Sequence, residues 1–421
     1  MRDIRQLTKA DLDAFITLAG NAYSAFPLNT EEEREGFKHQ LLAQDADPTI
    51  DLYGAFDDGG LLGGMILYDF TMTLFETPVL AGGVGMVAID LLHKKEKIAR
   101  DLIVDYLRRY RARGAPLALL YPFRPDFYKA MGFGFGTKLN GYRVRPAALP
   151  NRGAREHLRM LGPEDRQRRA DCYARSAQRT HGMIAHSEFD VARMFTNPKA
   201  RVVGYQTGDE LEGYLSFRFE PVAGGSFLLN DIIVSELIYE TPEALAALLT
   251  FLHLQADQIN LIHINTQDES FHHLLDDPRD NTDHLLPSVY HESNTQGVGL
   301  MYRVIETRGF FNALASHRFG REGDATLAVK LTIRDTLLPE NDGSVVVRFE
   351  DGHARLAEHG DGAHDVAVAM DVAEFSSLVM GCVAFERLYA YGLASISDPR
   401  AVETITHLFR AERRPVCHTH F

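Results

Sequence analysis

Apolar residues recur at helical spacing along "LTKADLDAFITLAGNAYSAF", and the pattern predicts a helix with Thr8 as its N-cap. A second helix is predicted from "NTEEEREGF", where Thr30 and Glu33 have capping-box spacing. The pattern then turns strand-like in "DLYGAF" and "LGGMILYDF", joined through the turn Asp57-Asp58-Gly59-Gly60. "VGMVAID", a long amphipathic helix, "PLALLY", a short helix around "PDFYKAM" and the run "KLNGYRV" complete a first segment, residues 1–150. Helices stand between strands, so the class is mixed α/β.

The second segment, residues 151–295, partly repeats the first. "LYGAFDDGGLLGGMI" returns as "VVGYQTGDELEGYLS", with Gly54, Leu61 and Gly63 reappearing 150 positions on as Gly204, Leu211 and Gly213. Strand "LLNDIIV", helix "TPEALAALLTFLHLQADQ" and strand "NLIHIN" follow in the same order, as expected of a degenerate duplication. The third segment, residues 296–421, reads as strands "ATLAVKLTI", "GSVVVRFE" and "HDVAVAMD" and helices "VAEFSSLVMGCV", "AFERLYAYG" and "RAVETITHLFR", an α+β arrangement. Linkers near "RPAALPNRGA" and "DPRDNTDHLLPS" are rich in Pro, Asn, Asp and Gly.

Composition narrows the function classes. The 421 residues are 45% hydrophobic, enough for packed cores, and the net charge of −14 argues against nucleic acid as main partner. A cationic substrate is compatible with that charge. Cys172, Cys382 and Cys417 are too few and scattered for a disulfide framework. The start lacks the apolar core of a signal peptide, and no stretch approaches about 18 uninterrupted apolar residues. The expectation is a cytosolic protein without a membrane span.

The most informative stretch is "VAIDLLHKKEKIARDLIVDYLRRYRARG". A strand ends near Asp90, a basic turn follows, and a helix opens near Lys97. Its predicted buried face is Ile98, Leu102, Ile103, Tyr106, Leu107 and Tyr110, and Gly114 closes it. His93, Lys94, Lys95 and Lys97 at a helix N-terminus make an anion site, most naturally for a pyrophosphate. The bland alternative is a solvated basic turn. At the equivalent turn of the second segment Glu236, Glu240 and Glu243 replace the basic residues, which predicts one such site per chain.

Strand, basic turn, amphipathic helix, strand and then "FYKAMGFG" resembles the GNAT superfamily of acetyl-CoA-dependent acyltransferases. The superfamily fingerprint, Arg/Gln-x-x-Gly-x-Gly/Ala, reads here Lys94-x-x-Lys97-x-Ala99, with Lys97 where glycine is usual. Over the whole chain, the order of these motifs with "DVAEFSSLVMGCVAFERLYAYG" and the terminal Phe421 resembles the enhanced intracellular survival (Eis) family. The resemblance implies tandem GNAT-fold domains, the second degenerate, and a C-terminal sterol-carrier-protein-like α+β domain. It implies acetyl-CoA as cosubstrate, a small cationic amine (aminoglycoside- or polyamine-like) or lysine as acceptor, and a homo-hexamer.

The same resemblance assigns residues. Val87, Ala88 and Ile89 on a splayed strand, and Lys94, Lys95, Glu96, Lys97, Ile98, Ala99 and Arg100 at the turn, would hold the cosubstrate. Tyr128 would be the general acid, and the terminal carboxylate of Phe421 the base. Attack by an amine builds an oxyanion that strand N–H groups can hold, and collapse expels a thiolate that needs a proton. An α-carboxylate, with an ordinary pKa of roughly 3.3–3.7, is a feeble base in water but attracts a cation strongly in a dry pocket.

Other residues have weaker expectations. Phe26 and Glu33 are candidate substrate contacts, Phe26 with Pro27 as apolar wall and Glu33 within the acidic run Glu31, Glu32, Glu33 and Glu35. That run also reads as an ordinary first helical turn. Tyr128 also reads as a ring packed on the sheet, and the terminus as a frayed end. Cys417, His418 and His420 do not converge as zinc requires, since an extended strand turns the cysteine away from the histidines. No metal is expected, and His272 and His273 are read as surface or local packing. Two rival functions remain, a lipid or sterol carrier built on the third segment and a non-catalytic CoA sensor.

Overall fold

The computed structural model describes residues 2–23, 26, 28–225, 228–320, 326–357 and 362–421. The chain first runs through β1 (Asp3–Gln6), α1 (Leu12–Ala22), α2 (Glu31–Asp45), β2 (Ile50–Asp57), β3 (Gly60–Leu74), β4 (Thr77–Ile89), α3 (Ile98–Ala112), β5 (Leu117–Leu120), α4 (Pro125–Lys129) and β6 (Gly134–Phe135). It continues through β7 (Leu139–Val144), β8 (Leu158–Met160), α5 (Arg166–Arg179), α6 (Glu188–Arg193), β9 (Arg201–Thr207), β10 (Glu210–Pro221), β11 (Asn230–Tyr239), α7 (Pro242–His253), β12 (Ile259–Thr266), β13 (Leu285–Leu286), β14 (Tyr290–His291) and β15 (Thr295–Gly297). It ends with β16 (Met301–Val304), α8 (Thr307–Ala313), β17 (Leu327–Arg334), β18 (Gly343–Glu350), β19 (His353–Leu356), β20 (Val366–Asp371), α9 (Val372–Val379), α10 (Phe385–Ala390), β21 (Ala394–Ile396) and α11 (Val402–Leu408).

Two compact units result. One holds Met1–Gly136, Gly299–Pro415 and Thr419–Phe421; the other holds Thr137–Val298 and Val416–His418. In the first unit a seven-stranded sheet runs β1-β2-β3-β4-β5-β16-β6, and a five-stranded sheet runs β19-β18-β17-β20-β21. The second unit has a seven-stranded sheet in the order β15-β7-β12-β11-β10-β9-β8.

These sheets correct one expectation. The run "KLNGYRV" does not complete the first segment's sheet; as β7 it lies between β12 and β15. Its place in the first sheet goes to β16, which pairs antiparallel with β5 (Met301 opposite Leu120) and with β6 (Met301 opposite Phe135). Strand pairing between residues this far apart leaves no trace in local periodicity, which reports only which face of a strand is apolar.

In the first unit α3 buries the six residues that its periodicity selects, and Gly114 follows it with φ of +76°. Those residues pack beneath the sheet against Leu67, Val84, Ala118 and Leu120. On the other face Phe15, Ile16 and Leu41 from α1 and α2 meet Ile66 and Ala88. Thr8 opens a single 3-10 turn, Lys9–Asp11, ahead of α1 rather than α1 itself. The third segment's helices turn their apolar faces inward, where Phe311 lies 6.3 Å from Phe375 and 6.2 Å from Phe349 between ring centroids.

The second unit repeats the first unit's hairpin. A Cβ on Gly54 would sit 2.5 Å from Leu61 Cδ1, and one on Gly204 would sit 2.6 Å from Leu211 Cδ1. The repeated glycine and leucine are therefore one packing unit used twice.

Candidate active site

The site is organised by a defect in β4. Parallel pairing with β5 covers only Ala81–Gly83 opposite Leu117–Leu119. Beyond that point the register with β3 shifts, from Gly85 opposite Ile66 to Ala88 opposite Gly64. Met86 and Val87 thus face the single Met65, and Met86 takes a left-handed φ of 46°. Such a bulge bends its strand and breaks the ladder. It leaves Val87, Ala88 and Ile89 outside the β5 ladder. Tyr23, just past α1, donates its hydroxyl to the Val87 carbonyl at 2.9 Å.

The basic turn follows directly. Asp90 caps the short turn Leu91–His93 by accepting from Leu92 N at 2.8 Å. Lys95 and Lys97 then both adopt left-handed backbone, with φ of 70° and 65°. The position where the fingerprint has glycine therefore keeps glycine's conformation although it carries a side chain. Strain of this kind costs about 1–3 kcal/mol. Lys97 supplies no side-chain cap to α3, so the first N–H groups of the helix, on Ile98, Ala99 and Arg100, have no acceptor within it. Glu96 is countered by His93 at 3.2 Å and by Arg2 at 3.5 Å. Among the described residues Lys94, Lys95, Lys97 and Arg100 are in no ion pair. The turn therefore presents free N–H groups and unneutralised positive charge together.

The corresponding point of the second unit is closed from within. Thr241 caps α7 by accepting from Ala244 N at 3.2 Å, and Pro242 has no N–H to offer. Glu240 is held by Arg175 and Arg179, each at 3.0 Å. Glu236 pairs with Arg169 at 2.9 Å, whose guanidinium lies over the Tyr214 ring. An anion at this helix start would meet carboxylates, with the N–H of Glu243 the one backbone donor left in the first three helical positions.

Tyr128 sits in α4, which starts at Pro125. Its ring is buried against Phe123, Phe127 and Phe133, with centroids 5.8, 5.2 and 6.1 Å away. Among the described residues none hydrogen-bonds its hydroxyl. Burial, with Tyr23 as a nearby acidic group, pushes the Tyr128 phenol well above its ordinary range. Burial pushes Tyr23 up to about 12. Both hydroxyls therefore keep their protons at neutral pH.

The C-terminus is packed, not frayed. The Phe421 ring stands edge-on to Tyr68 at 5.6 Å and to Phe70 at 4.7 Å, and 5.2 Å from Tyr121. Tyr121 donates to the Thr419 carbonyl at 3.0 Å and stacks on His420 at 5.8 Å. The terminal carboxyl carbon lies over Gly85, in β4 immediately before the bulge.

Periodicity does not single out Tyr23, Tyr121 or Gly85. The run "AGGVG" inside a strand is the available signal, because glycine there marks close approach by another group. Of the weaker candidates, Phe26 lies tilted to Tyr23 at 5.9 Å and edge-on to Phe37 at 6.1 Å. Glu33 is taken up as a cap, accepting from Asn29 N and Thr30 N at 2.9 Å each. Pro27 lies outside the described residues. A cavity of about 400 Å³ lies elsewhere in the first unit, lined by Asp126, Lys129, Arg334, Asp371 and Glu374 among others, and neither Tyr128 nor the basic turn lines it.

Comparison with known proteins assigns a domain family to each of three stretches of the chain. Residues 3–136 match one acetyltransferase (GNAT) domain family, residues 173–304 match another, and residues 303–418 match the sterol carrier protein domain family. The chain carries two GNAT acetyltransferase domains in tandem and a sterol carrier domain.

Solved structures share this fold end to end. A GCN5-related N-acetyltransferase from Anabaena variabilis aligns with a TM-score of 0.80 at 16% identity, covering 100% of both chains. A probable N-acyltransferase from Enterococcus faecalis aligns at 0.78 and 18%, again over 100% of both. Eis1 from Mycobacterium abscessus aligns at 0.77 and 23% over 100% of both. No curated protein matches the chain in sequence. GNAT domains draw their acyl group from an acyl-CoA, and the uncapped start of α3 fits the pyrophosphate of such a cosubstrate. Among the described residues no helix of this tandem GNAT chain is long and apolar enough to cross a membrane.

Proposed function

We propose that the first GNAT domain moves acetyl from acetyl-CoA to a primary amine of a small cationic molecule, aminoglycoside- or polyamine-like, or to lysine. One observation carries the reading: the bulged part of β4 has the open start of α3 after it and the Phe421 carboxyl on Gly85 before it. The amine arrives as ammonium, and the terminal carboxylate attracts it and takes up its proton through water. The free amine attacks the thioester carbon. Backbone N–H groups of Val87, Ala88 and Ile89 receive the oxyanion. Collapse breaks the C–S bond; Tyr128, still protonated and with its hydroxyl free, gives the thiolate its proton, and the second proton of the attacking nitrogen returns through water to the Tyr128 oxygen as the amide forms. Lys94, Lys95, Lys97 and Arg100 hold the pyrophosphate, with Glu96, Ile98 and Ala99 shaping the turn.

The test is thiol release from acetyl-CoA with a panel of amines, run beside thermal stabilisation by acetyl-CoA and by lipid. Amine-dependent release that drops at least about a hundredfold in Tyr128→Phe is the expected result. Stabilisation by lipid alone would favour a carrier, and stabilisation by acetyl-CoA without any release would favour a sensor. A short extension after Phe421 that retains full activity would remove the carboxylate from the mechanism.

A further inference from the structure

Arg303 is fully buried, and it stands in β16, the strand that the third segment contributes to the first sheet. Its Nη2 donates to both oxygens of Asp335 at 2.8 Å. Asp335 in turn accepts from Leu337 N at 3.1 Å, Leu338 N at 2.9 Å and Asn341 Nδ2 at 3.0 Å. Leu337 and Leu338 pack into the same core cluster as Tyr128 and Met131.

The other end of the guanidinium reaches the turn that closes α4. Arg303 Nη1 donates to the Gly132 carbonyl at 3.4 Å, and a Cβ on Gly132 would collide with that nitrogen. Gly132 has φ of +87°, and the turn around it is tied to the catalytic helix. Met131 N and Phe133 N both donate to the Tyr128 carbonyl, at 3.0 and 3.1 Å. The chain of contacts is thus Asp335, Arg303, Gly132, and then the backbone of Tyr128.

A buried ion pair is a poor device for stability alone, since a well-packed apolar pair of similar volume is often as good or better. This one also leaves Arg303 Nε buried without a partner. What it supplies is direction, because Nη2 held on Asp335 and Nη1 on the Gly132 carbonyl together fix the plane of the guanidinium. We propose that the Arg303–Asp335 pair is a positioning device, through which the sterol carrier segment sets the angle of Tyr128 in the acetyltransferase site. It rests on the reading of Tyr128 as proton donor.

The experiment is a double-mutant cycle on the full chain, measuring kcat, KM for acetyl-CoA, acetyl-CoA affinity by calorimetry and the unfolding midpoint. The variants are Asp335→Asn, which keeps volume, and Arg303→Met with Asp335→Leu, which replaces the pair by apolar side chains. Each is made with Tyr128 and with Tyr128→Phe. In the Tyr128 background kcat is expected to fall about tenfold or more, with acetyl-CoA affinity within about twofold. In the Tyr128→Phe background the same variants are expected to change kcat by less than about twofold, because the group they aim is gone. Equal losses in both backgrounds, or an unchanged kcat in the Tyr128 background, would overturn the positioning role. If the apolar pair fails to fold, Asp335→Asn decides by the same comparison. Wild-type turnover by Tyr128→Phe alone would instead overturn the proton-donor reading, and the positioning role with it.

Discussion

The carboxyl carbon of Phe421 lies 3.2 Å from the point where a Cβ on Gly85 would stand. Gly85 is outside the left-handed region, so alanine fits its backbone, and its Cβ would meet the Phe421 carboxyl and the Tyr68 ring, each at 3.2 Å. Gly85→Ala is expected to push the terminus off β4 by a few tenths of an ångström and to lower kcat by about three- to tenfold, well short of the roughly hundredfold loss of a misplacement near 1 Å. Acetyl-CoA affinity should stay near wild type. Steady-state kinetics with calorimetry checks both, and unaltered kcat would separate the terminus from the reaction.

Lys97 combines a useful charge with a costly conformation, and two substitutions separate them. Lys97→Ala removes the charge and keeps the left-handed strain; Lys97→Gly removes both. Acetyl-CoA affinity should drop by a similar factor in the two. Stability in urea should rise by about 1 kcal/mol in the glycine variant only. A glycine variant no more stable than wild type would mean that the turn is not strained.

Calorimetric titration of the wild-type chain should give one acetyl-CoA per chain. The reason is local: Thr241 and Pro242 remove two of the first three N–H groups of α7 and Glu240 stands beside it, whereas the start of α3 keeps all three. Two equivalent sites would contradict the closed geometry of the second unit.

Asp165 lends itself to a pH measurement. Its carboxylate takes Arg159 Nη1 at 2.8 Å and Nη2 at 2.5 Å, and Gly162 N at 3.1 Å. Hydrogen bonding from Arg159, working against desolvation, pulls the group from 3.8 down to about 2. A carboxylate lowered in the folded state stabilises above its unfolded value and loses that contribution as pH falls through the folded one. Asp165→Asn should therefore lower the unfolding midpoint at pH 7, with the gap from wild type closing between pH 4 and pH 2. Thermal scans across that window check it, and a gap independent of pH would assign the loss to packing.

Much of the site was legible in the sequence where its signal is local. The buried stripe of α3, the basic turn before it and the Thr30–Glu33 cap each lie within a single stretch of at most about four helical turns, and spacing alone specifies them. Lys97 shows the limit. Its residue type departs from the fingerprint, yet its backbone keeps the glycine conformation, because the turn must still change direction between β4 and α3. Tyr23 was not legible, since its role depends on a hydroxyl meeting the carbonyl of Val87 across 64 positions.

By itself the sequence determined the elements, their amphipathic faces, the repeated glycine–leucine packing and the charge contrast between the turns before α3 and α7. Those follow from side-chain chemistry acting over a few residues. Only the tertiary structure decided that β16 enters the first sheet while β7 leaves it, that Arg303 reaches the turn after Tyr128, and that Phe421 comes to rest on Gly85. These are pairings between distant positions. They are selected by the burial of whole surfaces and the satisfaction of buried donors, and short-range periodicity carries no record of them.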